Sequence, residues 1–215
     1  MKEATILVTG ATGNVGAAVA ERAAAAGARV RVAARRPDRV VEELIEKGVS
    51  ADRLEGRYLD FDGKAPGADL FDDVTAIFLM RPPQIGDVES YIFPFLHTAR
   101  KAGVGRIALL SLLGAQRIPF IPHRKLEKEI DRLGFERTFL RAGFFMQNLD
   151  TVFSEFIRKG GEIPVPAGNG RTSFVDARDL GEAAAELLLL QGSPPEAPEL
   201  TGLEAISYDE VAERM

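Results

Sequence analysis

Gly10-Ala11-Thr12-Gly13-Asn14-Val15-Gly16 is the stretch that decides how the chain is read. It follows Ala4–Thr9, a run of apolar and β-branched residues, and precedes Val15–Ala26, an alanine-rich stretch without proline. The first reads as a strand buried on both faces and the second as a helix that Gly27 stops. The glycines of such a turn act differently. One permits the sharp reversal, one lets backbone N–H groups approach a ligand, and one lets the helix pack closely on the strand. The mouth of the helix then presents unpaired N–H groups and a partial positive charge, which suits a diphosphate. Glycines at this spacing are a weak signal alone. Placed directly after the first strand, with Thr9, Thr12 and Asn14 interleaved, they point to a dinucleotide. The candidate phosphate contacts are Gly10, Thr12, Gly13, Asn14, Val15 and Gly16.

Outward from this turn, short β-rich runs alternate with longer helical ones. Arg29–Ala34 reads as a second strand, Asp38–Lys47 as a helix closed by Gly48, Arg53–Leu59 as a third strand and Thr75–Met80 as a fourth. Asp87–Ala102 reads as a helix, Arg106–Leu112 as a fifth strand, Pro122–Leu133 as a charged amphipathic helix and Glu136–Leu140 as a sixth strand. Strands separated by helices of this length imply an α/β fold, a Rossmann-type doubly wound parallel sheet with right-handed crossovers. The pattern changes after about residue 143. Phe144–Lys159 reads as helical, Gly160–Gly170 as a loop, Asp176–Leu190 as an apolar helix and Ser193-Pro194-Pro195 as a linker, and Ser207 opens a last helix. Residues 1–143 are therefore expected to form the nucleotide-binding core, and residues 144–215 a small lobe packed on it as one structural unit.

Composition narrows the chemistry. The 215 residues contain no cysteine and two histidines, His97 and His123. That excludes disulfides, thiolate metal sites and cysteine nucleophiles, and argues against a histidine metal centre. A formal net charge of −5 repels nucleic-acid phosphates at long range, so no nucleic acid is expected as partner. The start reaches a strand without the apolar core of a secretion signal, and no stretch is apolar for about 18 residues, so no membrane span is expected and the cytoplasm is the default location.

The end of the second strand selects the cofactor. A site for NAD usually places Asp or Glu there to hold the ribose hydroxyls. Here the place is taken by Arg35 and Arg36, which can grip a 2′-phosphate. The expected cofactor is NADP(H) in preference to NAD(H); the alternative is a solvated arginine pair. Asp60 and Phe61, after the third strand, are placed to meet the adenine or to form a solvated turn.

Several further blocks, with Thr9–Gly16, resemble the NmrA-like branch of the atypical short-chain dehydrogenases/reductases. They are Leu110-Ser111-Leu112-Leu113-Gly114-Ala115, His123 with Glu127, Leu140-Arg141 followed by Gly143-Phe144-Phe145-Met146-Gln147-Asn148-Leu149, Ser173–Asp179, and Leu200-Thr201-Gly202 with Ile206-Ser207-Tyr208. The resemblance covers nearly the whole chain. It implies a Rossmann core with a small C-terminal lobe and a cleft between them for nicotinamide and substrate. Members of that branch include NADPH-dependent quinone and dye reductases, and regulators that sense the cofactor without turning it over. The last helix has only about two turns, so either it docks on the body or the chain is shorter than its relatives.

The chain departs from the ordinary members of that superfamily, which use Tyr-x-x-x-Lys. Its tyrosines are Tyr58, Tyr91 and Tyr208, none on the helix after the fifth strand. The resemblance puts His123 in the lysine's place with Pro119 at the tyrosine, or, in another register, His123 at the tyrosine itself. His123 is the candidate catalytic group; the alternative is a surface histidine. Met80, Arg81, Ser111 and His123 complete the candidate cofactor contacts. Phe144, Phe145 and Asn148 are the candidate substrate pocket, with ordinary core packing the alternative for the aromatic pair. Without a phenol, ketone reduction lacks its usual proton donor, whereas a quinone yields a far less basic oxyanion. The expected activity is hydride transfer to a quinone or similar flat electron acceptor. The alternative is a redox-sensing regulator with a protein partner. A sugar-nucleotide epimerase is disfavoured because it would want Tyr-x-x-x-Lys. Helix Asp87–Ala102 is a candidate homodimer face by analogy with the fold alone.

Overall fold

The computed structural model describes residues 4–215; residues 1–3, where the reading of the chain's start falls in part, lie outside the described residues. The first half runs β1 (Thr5–Thr9), α1 (Asn14–Ala25), β2 (Arg29–Ala34), α2 (Pro37–Glu46), β3 (Leu54–Tyr58), β4 (Val74–Leu79), α3 (Val88–Tyr91) and α4 (Phe93–Lys101). The second half runs β5 (Arg106–Leu112), α5 (Pro122–Leu133), β6 (Glu136–Ala142), α6 (Ser154–Gly160), β7 (Arg171–Ser173), α7 (Ala177–Leu189), β8 (Glu199–Leu200), β9 (Ala205–Ser207) and α8 (Tyr208–Arg214). Seven strands form one parallel sheet in the order β3-β2-β1-β4-β5-β6-β8, and β7 pairs with β9 in a small antiparallel sheet near the C-terminal end. The strand order reverses direction between β1 and β4, the place where doubly wound folds open a crevice at the carboxyl ends of their strands.

The sheet is covered on both faces, which is why its strands are continuous apolar runs rather than alternating ones. Every residue of β1 is buried. Ile6 and Val8 pack with α1, α2 and α7 on one side, while Leu7 packs with α4 and α5 on the other. Helix α7 lies along α1, so close that a Cβ on Gly181 would stand 2.4 Å from the Cβ of Ala18. Residues after 143 therefore supply α7 to the helix layer and β8 to the edge of the main sheet.

The structure corrects three readings of the sequence. The helix expected over Asp87–Ala102 is two helices that break at Ile92. Pro94 has no N–H to give the carbonyl of Ser90, but fits the first turn of α4, where no donor is needed. The helix expected over Phe144–Lys159 is absent up to residue 153 except for a tight turn at Met146–Asn148. Backbone bonds hold that segment extended instead: Gly143 donates to Leu200, Val175 to Phe144, and Met146 to Val175. The sixth strand runs two residues further than its apolar pattern, through Arg141 and Ala142. Asp176 caps α7, and Ser207 and Glu210 form a reciprocal capping box on α8.

Replacing Gly181 by leucine would force α7 off α1. The expected result is a stability loss of about 2–3 kcal/mol in urea unfolding, while Gly86→Ala, where an added Cβ meets nothing within 4 Å, stays within about 0.5 kcal/mol of the parent. Equal midpoints for the two variants would show that the helix pair is not closely packed.

Candidate dinucleotide and acceptor site

The turn after β1 gives each glycine a different physical reason. Gly10 has φ 69°, in the left-handed region, and its carbonyl accepts from the N–H of Gly13 at 2.9 Å. A Cβ on Gly16 would stand 2.3 Å from that same carbonyl oxygen, so helix and strand can approach only because Gly16 has none. Gly13 differs from both. Its φ of −104° suits any residue, and a Cβ there would meet only ordinary contacts, 3.5 Å to Gly10 O and 3.7 Å to Met80 Cε. Nothing inside the chain requires glycine at 13, and its missing side chain leaves space beside the turn. Gly13 is also the N-cap of α1 and has no side chain to cap it, and the first turn carries no acidic residue. The first-turn N–H groups from Asn14 to Gly16 are those a helix leaves unpaired. These features fit a diphosphate.

A cavity of about 900 Å³ opens from this turn across the ends of β2 and β3. Gly10, Thr12 and Gly13 form one end of it, and Arg35 and Arg36 line the wall beyond β2. Both arginines are exposed, and neither guanidinium has a hydrogen-bond or ion-pair partner among the described residues. Asp60 and Phe61 line the cavity as well, but the Phe61 ring also packs edge-on against Phe95, with centroids 5.5 Å apart. Met80 lies beneath Gly10. Arg39, Tyr58 and the Pro82–Ile85 loop also line the cavity, and sequence reasoning misses all three. Arg39 sits one turn into α2, so its spacing from Arg35 and Arg36 is a usable signal; it is held by Glu43 at 2.8 Å. Asn14, Val15 and Gly16 contribute backbone at the helix mouth and do not line the cavity.

The remaining candidates stand apart from that cavity. Ser111 is buried, and its hydroxyl donates to Glu127 Oε1 at 2.8 Å, so it is taken up inside the fold. Glu127 is fully buried and also accepts two bonds from Arg141, each 3.0 Å, and one from Arg124 at 2.8 Å. That network ties α5 to the ends of β5 and β6. His123, one turn before Glu127 and second in α5, is largely enclosed. Burial, and then the positive charge of Arg81 nearby, push its imidazole down to about 4, below the value near 6.5 of a free histidine. Arg81 gives its Nη1 to the carbonyls of Pro82, Pro83 and Ile85, which curls the loop that walls the cavity. Pro119 lies in the exposed loop before α5. His97 pairs with Glu129 at 2.5 Å on the far side of the fold from the glycine turn, between α4 and α5.

Phe144 stacks on Phe153 and meets Phe174 and Tyr208 edge-on, an aromatic cluster inside the C-terminal lobe. Phe145 packs against the main core, and the backbone of Asn148 closes the turn before α6. None of the three lines the cavity. Among the described residues no cluster of His, Asp and Glu is arranged to hold a metal ion, and no helix is long and apolar enough to cross a membrane.

Known proteins share both sequence and architecture with the chain. It is 32% identical over 216 residues to the uncharacterized oxidoreductase YesF of Bacillus subtilis, covering 99% of the chain and 70% of that protein. It is 31% identical over 220 residues to the NAD(P)H azoreductase of Xenophilus azovorans, covering 96% of the chain and 71% of that protein. The triphenylmethane reductase of a Citrobacter species, solved in complex with NADP(H), superposes with a TM-score of 0.78 at 25% identity, over 97% of the chain and 74% of that structure. The model of the NmrA-like family matches residues 2–213, and the chain belongs to that family.

Proposed function

We propose that the chain is an NADPH-dependent oxidoreductase that delivers hydride to a quinone or another flat, conjugated electron acceptor. The observation that carries the reading is the uncapped glycine turn with a vacant Cβ space at Gly13, opening on a cavity whose far wall holds two unpaired arginines. The azoreductase and dye-reductase names of two similar proteins support the acceptor class. The reading carries with it a small-molecule partner and a cytoplasmic location.

In the bound state the nicotinamide supplies the hydride. The chain's own groups bind and orient. The open N–H groups at the mouth of α1 hold the diphosphate, and Arg35 and Arg36 take the 2′-phosphate. A hydrogen bond to a charged group is worth roughly 1.5–3 kcal/mol, so one such contact favours NADPH over NADH by about tenfold or more. His123 is neutral near neutral pH, so it offers one N–H and one acceptor nitrogen but no acid proton. That suits an acceptor whose reduced oxyanion is weakly basic and can take its proton from water.

The reading is tested by NADPH oxidation with a panel of benzoquinones and naphthoquinones. Turnover supports it. Tight NADPH binding with no turnover favours a cofactor sensor, a second reading kept open by the absence of any tyrosine on α5. The double variant Arg35→Ala/Arg36→Ala is expected to weaken NADPH at least tenfold and leave NADH within about twofold, by fluorescence titration. Equal losses for both would remove the 2′-phosphate contact.

The histidine gives a pH prediction. Its folded value lies below the unfolded one, so the unfolded chain takes the proton first. The stability that this histidine contributes is therefore lost as pH falls from about 6.5 to about 4, and its contribution levels off below. With only two histidines, imidazole proton resonances assigned through His97→Gln should show His123 titrating near 4. Titration near 6.5 would refute the enclosed neutral imidazole.

A further inference from the structure

Among the described residues, the partly buried arginines are neutralised, with one exception. Arg31 lies 2.7 Å from Glu55, Arg106 2.9 Å from Glu136, Arg137 2.6 Å from Asp131 and Arg141 3.0 Å from Glu127. Arg81 has no carboxylate partner among the described residues. Its one bonded nitrogen, Nη1, meets three neutral carbonyls, and its Nε is buried with no partner at all. Taking a cation out of water without a counter-ion, and leaving a buried donor unbonded, both oppose folding. Those bonds shape the Pro82–Ile85 loop, but neutral carbonyls leave the charge of Arg81 without a counter-ion.

The carboxylate that acts with Arg81 on His123, that of Glu127, is already taken up by Arg124 and Arg141. Met80 and Pro82 on either side of it line the dinucleotide cavity, while Arg81 itself does not. It is instead felt as a charge at His123, in the first turn of α5. That helix opens on Ile121, which has no capping side chain, and carries no acidic residue in its first turn. A guanidinium, an uncapped helix mouth and a neutral imidazole thus share one corner beside the carboxyl ends of β4 and β5.

Resting on the reductase reading above, we propose that Arg81 is the anion-stabilising residue of the acceptor half of the site, where it takes the negative charge that reduction places on the acceptor oxygen. A conjugated acceptor gains hydride as a new bond at one end of its π system. The π electrons move to the other end and leave the charge on oxygen, while the dinucleotide leaves oxidised. One proton from water then completes the reduced product. A preorganised cation aimed at developing charge acts without reorganisation at that moment.

The test uses 4-nitrophenol, whose ionised form has its own absorption band and mimics the product oxyanion, with the whole chain saturated in NADP⁺. The wild-type protein is expected to bind 4-nitrophenolate at least tenfold more tightly than nitrobenzene, and Arg81→Met to lose that preference. NADPH affinity, read by fluorescence, falls in the same variant by less than the nitrophenolate preference does, and quinone turnover falls on the order of a hundredfold. Arg81→Lys keeps the charge and is the check against a folding defect; it should retain a clear preference for the anion. No anion preference in the wild type overturns the proposal. So does an unchanged preference in Arg81→Met, or a tenfold loss of NADPH affinity in that variant with nitrophenolate binding intact, which would make Arg81 a cofactor contact. Arg81-dependent nitrophenolate binding without any quinone reduction upholds the anion site while the reductase reading falls.

Discussion

Everything at the functional end of this protein depends on how closely α1 approaches β1. The helix can start where it does only because Gly16 places no side chain against the Gly10 carbonyl, which a Cβ would meet at 2.3 Å. That contact aims the helix axis at the crevice between β1 and β4, and α7 holds it there from behind through Gly181. A helix so fixed keeps its unpaired N–H groups in one place, which lets backbone alone serve as an anion site. The side chains are free for other roles.

Those side chains divide into charges that are matched and charges that are not. Arg31, a charged residue inside β2, is matched by Glu55 and by the carbonyls of Leu70 and Asp72, and so holds the edge of the sheet together. Arg141 and Glu127 do the same for β6 and α5, with Ser111 completing the carboxylate's partners. Arg35, Arg36 and Arg81 have no carboxylate among the described residues. The matched pairs of Arg31 and Arg141 join elements, whereas Arg35 and Arg36 line the dinucleotide cavity and Arg81 follows the end of β4. The division is physical, since an unneutralised cation is tolerated where solvent or an arriving anion can meet it.

The serine and the histidine show what one segment of sequence leaves open. Both belong to blocks that resemble the family's site, yet the hydroxyl of Ser111 is taken up by Glu127, and His123 is held well below its usual range by burial and by Arg81. Neither partner is near in sequence: Glu127 is sixteen residues from Ser111, and Arg81 lies at the end of β4, before β5 and α5. A hydrogen bond made across the fold leaves no local trace in spacing or composition.

The main sheet, its order of strands and helices and the phosphate turn were legible in the chain itself, because they rest on local physics: runs of β-branched residues, glycine where a side chain would clash, proline where a helix begins. The break at Ile92, the extended path through Phe144 and Phe145 and the short strands β7, β8 and β9 were not. The last two are held by backbone bonds to segments far away in sequence, whereas the break has a local signal, Pro94, that the periodicity of the helix masks. Arg35 and Arg36 could be placed from sequence since they follow β2 directly. What only the tertiary structure decided was which buried charges find a partner: neutralisation is a property of three-dimensional neighbours, and it separates Arg141, a strut, from Arg81, a cation left without one.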